Sequence, residues 1–341
     1  MIRYIRPLVQ TGPARPRDAH TLAGGWCWFT HVEILSRTAA PSVVPVTGIA
    51  ADELAALVAE RPAIAGLSFE GPRLMGILNV TPDSFSDGGR HQTLSNAVEE
   101  AIRMVSKGAD LIDIGGESTR PGAVTVAPED EMQRTAPVIQ AIREAGVATP
   151  ISIDTRKGAV GRAAISAGAN IVNDVSGFTY DPELAAICGK SGTPVCVMHA
   201  QGDPATMQNE PQYDDVLLDV YDFLETQIDV LLSLGIQSSS IIADPGIGFG
   251  KSQSHNLKVL NRISLFHSLG VPILLGASRK RFIGSIGDEP VADKRAAGSV
   301  GVALAAIGQG VQLIRAHDIA EHQQAIALWQ ASVTQDLNEI E

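Results

Sequence analysis

The sequence predicts an α/β protein, a closed (β/α)₈ TIM barrel that follows an N-terminal extension. From about residue 73 onward, a short apolar run alternates with a segment of helical periodicity, and this alternation occurs eight times. The apolar runs are continuous, which is typical of parallel strands covered by helices. No run is followed by the G-x-G-x-x-G pattern of a dinucleotide-binding turn. Eight such units therefore favour the closed barrel over an open doubly wound sheet.

The predicted elements follow the chain in order. The strands are the runs 74–80, 111–114, 151–153, 171–175, 195–198, 241–243, 273–275 and 311–314. The helices are the segments 94–107, 129–145, 159–167, 183–190, 214–234, 257–269, 295–308 and 319–333. Several helices open with Ser, Asp or Pro and close near a glycine such as Gly108 or Gly235, as helix capping requires.

The first 70 residues do not follow this alternation. They contain short mixed runs, Trp26, Trp28 and one predicted helix at 51–60. We therefore expect two parts: an N-terminal extension of unknown role at 1–70, which packs on the barrel or assists oligomerisation, and a catalytic barrel domain at 71–335.

Composition and charge exclude several classes of partner. The 341-residue chain is 45% hydrophobic and 19% charged, with a net charge of −12, which argues against nucleic acid or an anionic membrane as a partner. The three cysteines, Cys27, Cys188 and Cys196, form no C-x-x-C pair and are expected to stay reduced. The sequence shows neither a signal peptide nor an apolar run that could span a bilayer, so we expect a cytoplasmic protein.

The segment 74–89, LMGILNVTPDSFSDGG, is the most informative stretch. It begins as a buried strand and changes at Asn79 into a polar, glycine-rich loop, which is how a barrel delivers chemistry to one rim. The loop residues Thr81, Pro82 and Asp83 favour a turn, and the glycines at 88 and 89 favour mobility.

The residues that end the predicted strands sort by charge. In chain order they are Asn79, Asp113, Glu117, Asp154, Asn173, Asp174, Met198, His199, Asp244, Ser278, Arg279, Lys280, Arg315 and His317. Any one of them could simply bind loop backbone, but a whole rim sorted by charge favours a site. The early strands supply carboxylates and amides, and the last two supply cations.

This sorting indicates a substrate with two different ends. The cations Arg279, Lys280, Arg315 and His317 suit a pyrophosphate or carboxylate. The side chains of Asp154, Asn173 and Asp244 suit a flat heterocycle with amidine-like N–H donors. Asn79, with a hard-oxygen partner, suits Mg²⁺, and no His/Cys spacing suggests zinc.

Eight segments of the chain resemble the dihydropteroate synthase family of pterin-binding enzymes. In order they are LMGILNVTPDSFSDGG, DIGGESTRPGA, SIDTRK, NDVSG, VMHAQGDPATMQ, DPGIGFGK, GASRKRFIG and RAHD. The resemblance covers roughly residues 70–335. It implies a transferase of folate biosynthesis that joins 6-hydroxymethyl-7,8-dihydropterin diphosphate to p-aminobenzoate, giving 7,8-dihydropteroate and pyrophosphate. It also implies Mg²⁺ as cofactor, a homodimer and a target for sulfonamides.

The resemblance further implies roles for individual residues. The implied catalytic residues are Asp154, Lys280 and Asn79, with Asn79 also binding the metal. The implied substrate-binding residues are Thr119, Arg120, Asp154, Asn173, Met198, Asp244, Gly248, Phe249, Ser278, Lys280, Arg315 and His317. The implied mobile first loop, which closes over the aminobenzoate, contains Thr81, Pro82, Asp83, Phe85 and Ser86.

Two rival interpretations stay open at this stage. A pterin-binding methyltransferase would keep Asp154, Asn173 and Asp244 but has no need of the first-loop signature or the basic cluster. A non-catalytic pterin-binding paralogue would be expected to have lost Asn79, Lys280 or Arg315, and all three are present. One departure from the family is Arg156, which replaces a small residue and is expected to face outward.

Overall fold

The first part of the chain forms small antiparallel sheets and one helix. The computed structural model describes residues 3–80, 90–118, 123, 125–202, 207 and 209–334. The elements of this first part are β1 (Tyr4–Pro7), β2 (His20–Thr21), β3 (Trp28–Phe29), β4 (His31–Leu35), β5 (Ser42–Pro45) and α1 (Ala51–Val58). Strand β4 pairs with β1 on one side and β5 on the other, and β2 pairs with β3.

Eight parallel strands then form a barrel. They are β6 (Arg73–Asn79), β7 (Leu111–Gly115), β8 (Ile151–Asp154), β9 (Ile171–Asp174), β10 (Val195–Met198), β11 (Ile241–Asp244), β12 (Leu274–Leu275) and β13 (Leu313–Ala316). Their order in the sheet is β11-β10-β9-β8-β7-β6-β13-β12. A parallel bridge between Ala243 and Ile273 joins β11 to the start of β12 and closes the ring. The predicted (β/α)₈ fold is therefore confirmed.

Helices connect successive strands around the outside of the barrel. They are α2 (Arg90–Ser106), α3 (Pro128–Glu144), α4 (Gly158–Ala167), α5 (Pro182–Ser191), α6 (Val216–Ser233), α7 (Gln253–Asn261), α8 (Arg281–Ile286), α9 (Ala296–Ile307) and α10 (Ile319–Thr334). Their apolar faces bury the main core against the strands, with Ile139, Leu184 and Leu224 fully buried. In the part of the chain that the structure describes, no helix has the length and apolar character needed to cross a bilayer.

The extension closes the N-terminal end of the barrel. Ile64, Leu67 and Phe69 pack with the first residues of the barrel strands, including Leu111 and Ile171. Polar contacts fix the rest of the extension to the barrel. Trp26 Nε1 donates to the Ile307 carbonyl at 3.0 Å, and Arg61 donates to the His267 carbonyl at 2.9 Å. The extension therefore packs at the end of the barrel opposite the C-terminal rim.

The prediction of one helix at 257–269 is wrong, because the structure has an α-helix followed by a 3₁₀ segment. Helix α7 starts earlier because Ser252 caps it, and the helix ends where Arg262 leaves helical geometry at φ −123°. A 3₁₀ segment, Ile263–Leu269, follows, and its first five residues are all buried. One face of an α-helix cannot bury five consecutive side chains, whereas a segment packed between extension and barrel can. Helix α8 was not predicted, because its six residues are too short to show a period.

Candidate active site

Strand register brings the predicted polar residues to one level of the rim. Asn79 pairs with Gly115 on the next strand, Gly115 pairs with Asp154, and Asp154 pairs with Asn173. Gly115 leaves room between its neighbours: a Cβ there would lie 3.7 Å from Asn79 Oδ1 and 3.6 Å from Asp154 Cβ. Further round, Met198 pairs with Asp244. The C-terminal rim therefore carries these predicted side chains together, as barrel enzymes require.

Arg315 on β13 spans the mouth of the barrel. Its Nε donates to Asp113 Oδ2 at 2.6 Å, and its terminal NH₂ donates to Asp154 Oδ2 at 2.8 Å. The Asn173 amide also faces Asp113 Oδ2, at 3.4 Å. Asp113 is fully buried, and its Oδ1 has no hydrogen-bond partner among the described residues. The acidic strand ends and the cationic strand ends, which the sequence predicts as two parts of the rim, are thus in direct contact through Arg315.

A second cation, Lys280, borders the opposite side of the mouth. Its Nζ donates to the Ile247 carbonyl and lies 4.3 Å from the centre of the Phe249 ring. Gly248 has a positive φ of +84°, and a Cβ on it would come within 2.9 Å of the Lys280 side chain. Asp244 is buried below, with Oδ1 accepting from the Gly246 N–H at 2.7 Å. Glycine at 248 is therefore what lets this turn touch Lys280.

The last two strands place Ser278 beside His317 but direct Arg279 elsewhere. The Ser278 hydroxyl lies 3.0 Å from His317 Nδ1 and accepts from the His317 backbone N–H at 3.2 Å. The Arg279 guanidinium instead forms ion pairs of 2.5 Å with both Asp318 and Asp293. The Arg279 guanidinium is thus paired with Asp293 and Asp318 and does not lie beside Arg315 in the mouth.

Burial shifts the pKa values of the groups in the mouth. Desolvation raises the pKa of Asp154 to about 8, against the opposing pull of Arg315 and with reinforcement from Asp113. Desolvation also lowers the pKa of Lys280 to about 7, although Asp244 opposes this shift. Burial opposes the charge of Arg315, but Asp113 and Asp154 outweigh it and its pKa is raised. Such shifted groups converging in one cleft are typical of an active site.

The arrangement is suited to a flat, donor-rich ring with an anionic tail. The carboxylate oxygens of Asp113, Asp154 and Asp244 can accept N–H bonds at the bottom of the mouth. Arg315, together with Ser278 and His317 at the rim, can bind a diphosphate or carboxylate. For a metal, the described residues contain no group of three His, Cys, Asp or Glu ligands. Among the described residues Asn79 would thus need substrate oxygens and water as further ligands, which is the usual way that Mg²⁺ binds beside phosphates.

Comparison with known protein families agrees with this geometry. The family model described as "Pterin binding enzyme" matches residues 75–317, from the first barrel strand to His317. The chain belongs to the pterin-binding enzyme family.

Within this family, the chain is similar to relatives and solved structures that are dihydropteroate synthases. The dihydropteroate synthase of Synechocystis is 45% identical over 75% of this chain and 90% of its own length. That of Escherichia coli is 43% identical over 79% and 94%. Among structures, Xanthomonas albilineans dihydropteroate synthase with 4-aminobenzoic acid has a TM-score of 0.74 at 44% identity, covering 79% of this chain and 96% of its own.

Two more structures of this group contain other ligands. The Xanthomonas albilineans enzyme in complex with 7,8-dihydropteroate has a TM-score of 0.71 at 41% identity, covering 78% of this chain and 95% of its own. The Yersinia pestis enzyme with a sulfonamide drug complex has a TM-score of 0.73 at 43% identity, covering 78% and 96%. Each of the three structures is thus covered almost completely by this chain.

Some of the predicted family residues lie outside the described part of the chain. These are Thr119 and Arg120 of the second loop and Thr81, Pro82, Asp83, Phe85 and Ser86 of the first loop. Their predicted roles stay predictions.

Among the described residues, Met198 is buried and faces the turn after β11, where a Cβ on Gly246 would come within 3.2 Å of its Cγ.

The outward orientation expected for Arg156 is wrong. Arg156 is 5% exposed, its Nε lies 3.1 Å from Glu117 Oε1, and its guanidinium lies 4.1 Å from the centre of the Tyr180 ring. The backbone leaves β8 at Asp154 and turns, so the next three side chains enter a polar cluster under the β7–α3 connection. Glu117 is the acceptor that draws Arg156 inward.

One residue of the pocket has no role in the sequence prediction. The sequence places Asp113 at a strand end, but the family resemblance gives it no substrate-binding role. In the structure it shares Arg315 with Asp154 and leaves one oxygen for a ligand. Its place within a strand was the available signal: Asp113 is a carboxylate at the middle of an otherwise apolar run, which a barrel tolerates only with a partner.

Proposed function

We propose that the chain is a dihydropteroate synthase, a transferase that joins 6-hydroxymethyl-7,8-dihydropterin diphosphate to p-aminobenzoate. The observation that carries this proposal is the buried Asp113–Arg315–Asp154 arrangement at the strand ends, in a chain that covers its dihydropteroate synthase relatives almost completely. Solved relatives that hold 4-aminobenzoic acid and 7,8-dihydropteroate support the second substrate and the product.

The pterin binds at the bottom of the mouth. Asp154, Asn173 and Asp244 accept or donate hydrogen bonds along the edge of its ring, and Met198 and Gly248 pack beside it. A desolvated carboxylate interacts strongly with cationic charge, because the low dielectric of the site weakens electrostatic forces less than water does. In its ionised form, which the ion pair with Arg315 favours against desolvation, Asp154 is therefore placed to stabilise positive charge on the ring when the reaction develops it.

The diphosphate lies at the cationic rim. Arg315, His317 and Ser278 bind its oxygens, and Asn79 would hold Mg²⁺ beside them. When bound, Mg²⁺ neutralises charge on the departing diphosphate. Lys280 and Phe249 border the aminobenzoate on the other side of the mouth.

The reaction breaks one C–O bond and forms one C–N bond. The bond between the pterin methylene carbon and the bridging oxygen breaks, and both electrons leave with pyrophosphate. The methylene cation that remains is delocalised into the pterin ring beside Asp154. The aniline nitrogen then attacks this carbon with its lone pair and afterwards loses a proton to water or pyrophosphate. A strong general base is unnecessary, since the aniline nitrogen is already nucleophilic.

Three further properties belong to this proposal. A sulfonamide, which mimics p-aminobenzoate, should compete at the Phe249–Lys280 side, as the sulfonamide complex of the Yersinia pestis relative suggests by similarity. The chain forms a homodimer, with the exposed apolar residues Ile286 and Val291 near α8 as candidate contacts. It works in the cytoplasm on small substrates, without nucleic acid or membrane as partners.

An assay with the purified 341-residue chain tests the proposal. With both substrates and Mg²⁺, we expect equal amounts of dihydropteroate and pyrophosphate, and little of either after chelation of the metal. Substrate binding without product would favour a non-catalytic paralogue, and methyl transfer to or from a pterin would favour a methyltransferase. Light scattering of the same sample tests the dimer.

A further inference from the structure

A buried lysine outside the predicted site, Lys251, contacts two loops beside the pocket. Lys251 follows the glycine-rich turn 246–250 and is 2% exposed. Among the described residues, no carboxylate lies within ion-pair distance of its ammonium. Its Nζ instead donates to the Gly246 carbonyl at 2.8 Å and to the Phe249 carbonyl at 3.2 Å, and it lies 2.7 Å from His199 Nδ1. Burial lowers the pKa of Lys251 well below its ordinary value because desolvation disfavours the charge, although Asp244 opposes this shift, so the side chain depends on these hydrogen bonds.

The contacts of Lys251 determine the state of His199. When Lys251 is protonated it has only N–H donors, so His199 Nδ1 accepts and the proton of the neutral ring lies on Nε2; a neutral Lys251 amine can instead accept from Nδ1–H. Desolvation together with the charge of Lys251 keeps the pKa of His199 well below its usual value, which agrees with a neutral ring. The ring packs edge-on against Phe223 at a centroid distance of 4.9 Å. His199 is thus a fixed hydrogen-bond partner of Lys251 on the loop after β10.

The lysine joins two loops that touch through glycine. Gly246 has a φ of +65°, and a Cβ there would collide with the His199 carbonyl. Gly250 is pressed in the same way against the backbone of Gln201. Polar side chains join the two loops at this contact. Lys251 binds carbonyls of one loop and the histidine of the other, and the Tyr213 hydroxyl donates to the Gly250 carbonyl at 2.7 Å.

The same turn determines the place of Lys280. The Ile247 carbonyl, between the two carbonyls that Lys251 binds, accepts from Lys280 Nζ. The Phe249 ring, whose own carbonyl Lys251 binds, lies under the same Nζ. A shift of the turn would therefore move both groups that border the aminobenzoate, together with Gly248 beside the pterin, whereas Asp154 and Asn173 lie on other strands.

We propose that Lys251 is a positioning residue for the aminobenzoate side of the pocket, acting with neutral His199 through the turn 246–250 and Lys280. Its effect on catalysis depends on the function proposed above, but its effect on the place of Lys280 does not.

Four variants test this inference: Lys251→Met, His199→Phe, His199→Asn and Lys258→Met. For Lys251→Met we expect the KM for p-aminobenzoate to rise about tenfold or more, because small displacements of positioning groups cost this much. The Kd for the pterin diphosphate should rise by a smaller factor than this KM, since Asp154 and Asn173 remain in place and only Gly248 and the Gly246 contact to Asp244 move with the turn. A residue that only stabilised the fold would reduce the amount of folded protein without separating these two constants.

Matched variants control for folding and shape. His199→Asn keeps an acceptor at the position of Nδ1 and should stay near the wild-type constants, whereas His199→Phe keeps a ring without the acceptor and should behave like Lys251→Met. Lys258→Met makes the same change at an exposed position of α7 and should leave both constants unchanged. If Lys251→Met does not fold, the two His199 variants decide, and equal constants for them would overturn the inference.

A crystal structure of Lys251→Met, or of His199→Phe, provides a readout independent of activity. We expect the turn 246–250 to move and Lys280 Nζ to leave the Ile247 carbonyl. An unmoved turn with Lys280 in place would overturn the inference whatever reaction the protein catalyses. Failure of the wild-type chain to make dihydropteroate would instead overturn the proposed function, and the crystal structure would still decide the role of Lys251.

Discussion

In the barrel mouth, burial disfavours the charge of a side chain and an oppositely charged partner favours it. Asp154 is 7% exposed and shares Arg315 with Asp113, so neither carboxylate has a cation to itself. Desolvation raises the pKa of Asp154, and Arg315 limits the rise. A carboxylate in this position gains a further favourable interaction as soon as positive charge appears on a bound pterin. Its role should therefore be larger in the transition state than in the bound substrate.

Substitution of this carboxylate separates binding from catalysis. We expect Asp154→Asn to lower kcat by about 100-fold or more, comparable to the loss of one electrostatic contact to a transition state. The amide keeps the size and hydrogen bonding of the side chain, so the Kd for the pterin diphosphate should rise far less. Calorimetry and steady-state kinetics measure the two quantities. Equal losses in both would mean that Asp154 only binds the ring.

Lys280 predicts a pH dependence of the reaction. Its pKa is lowered to about 7 by desolvation, so the free protein loses this positive charge as the pH rises through that value. If the charged form is needed beside the aminobenzoate, kcat/KM should fall above about pH 7, because this constant reports the free enzyme. In Lys280→Arg the cation persists to much higher pH. That variant should be slower but should lack the fall, and an identical fall in both would assign it to another group.

Residue roles were predictable from the sequence where a strand ends in a polar side chain. The register that aligns Asn79, Asp154 and Asn173 follows from continuous apolar strands of similar length. Pairings that depend on distant segments could not be predicted. The Arg279 ion pair with Asp293 is one example, and the hydrogen bonds of buried Lys251 to two backbone carbonyls and His199 are another.

Among the elements, β8 and α3 are joined by a buried charge cluster. Lys157 lies 2.6 Å from Glu117 and 2.5 Å from Glu131, and the Thr155 hydroxyl donates to Glu131 at 2.7 Å. Glu117 also accepts from the backbone N–H of Val126, across the β7–α3 connection. The cluster thus fixes both ends of that connection against the strand that carries Asp154.

Loss of the lysine should be expensive for stability. In Lys157→Met, Glu117 keeps Arg156 as its cation and, among the described residues, Glu131 keeps none, so we expect the free energy of unfolding to fall by about 3–5 kcal/mol. The matched control Lys190→Met removes an exposed lysine and should change it by less than about 0.5 kcal/mol. Denaturant unfolding measures both. A small effect at Lys157 would mean that water reaches the cluster and replaces the lysine.

Element boundaries show where sequence periodicity is sufficient. Strands and long helices of the barrel start or end within a few residues of the prediction, because each buries one apolar face in a regular way. The segment after α7 differs, because it is buried between barrel and extension and follows neither helical nor strand periodicity. Arg156 was placed wrongly for a related reason: its acceptor, Glu117, is 39 residues away in the chain.

At the scale of the whole molecule, extension and barrel share apolar contacts. Phe29 and Leu57 are fully buried within the extension, and Ile64, Leu67 and Phe69 cover the apolar ends of the barrel strands. The contacts lie at the end of the barrel opposite the catalytic rim. The extension should therefore matter for stability more than for the chemical step.

Removal of residues 1–70 tests this separation. The shortened chain would expose Leu111, Ile171 and Leu313 to water, so we expect a lower unfolding temperature and a tendency to aggregate. The KM for p-aminobenzoate of the protein that stays folded should change little. Trp26→Phe, which loses only the hydrogen bond to Ile307, is a milder control. A large change in KM without a change in stability would give the extension a direct role at the site.

The central claim is that this mouth cleaves the C–O bond of a pterin diphosphate and transfers the pterin to an aniline nitrogen. Substrate labelled with ¹⁸O in the oxygen that bridges carbon and phosphorus tests it directly, with p-aminobenzoate and Mg²⁺ present and mass spectrometry of the products. We predict unlabelled dihydropteroate together with pyrophosphate that carries all of the label. Absence of dihydropteroate, or label retained on a hydroxymethyl pterin through P–O cleavage, would contradict the account.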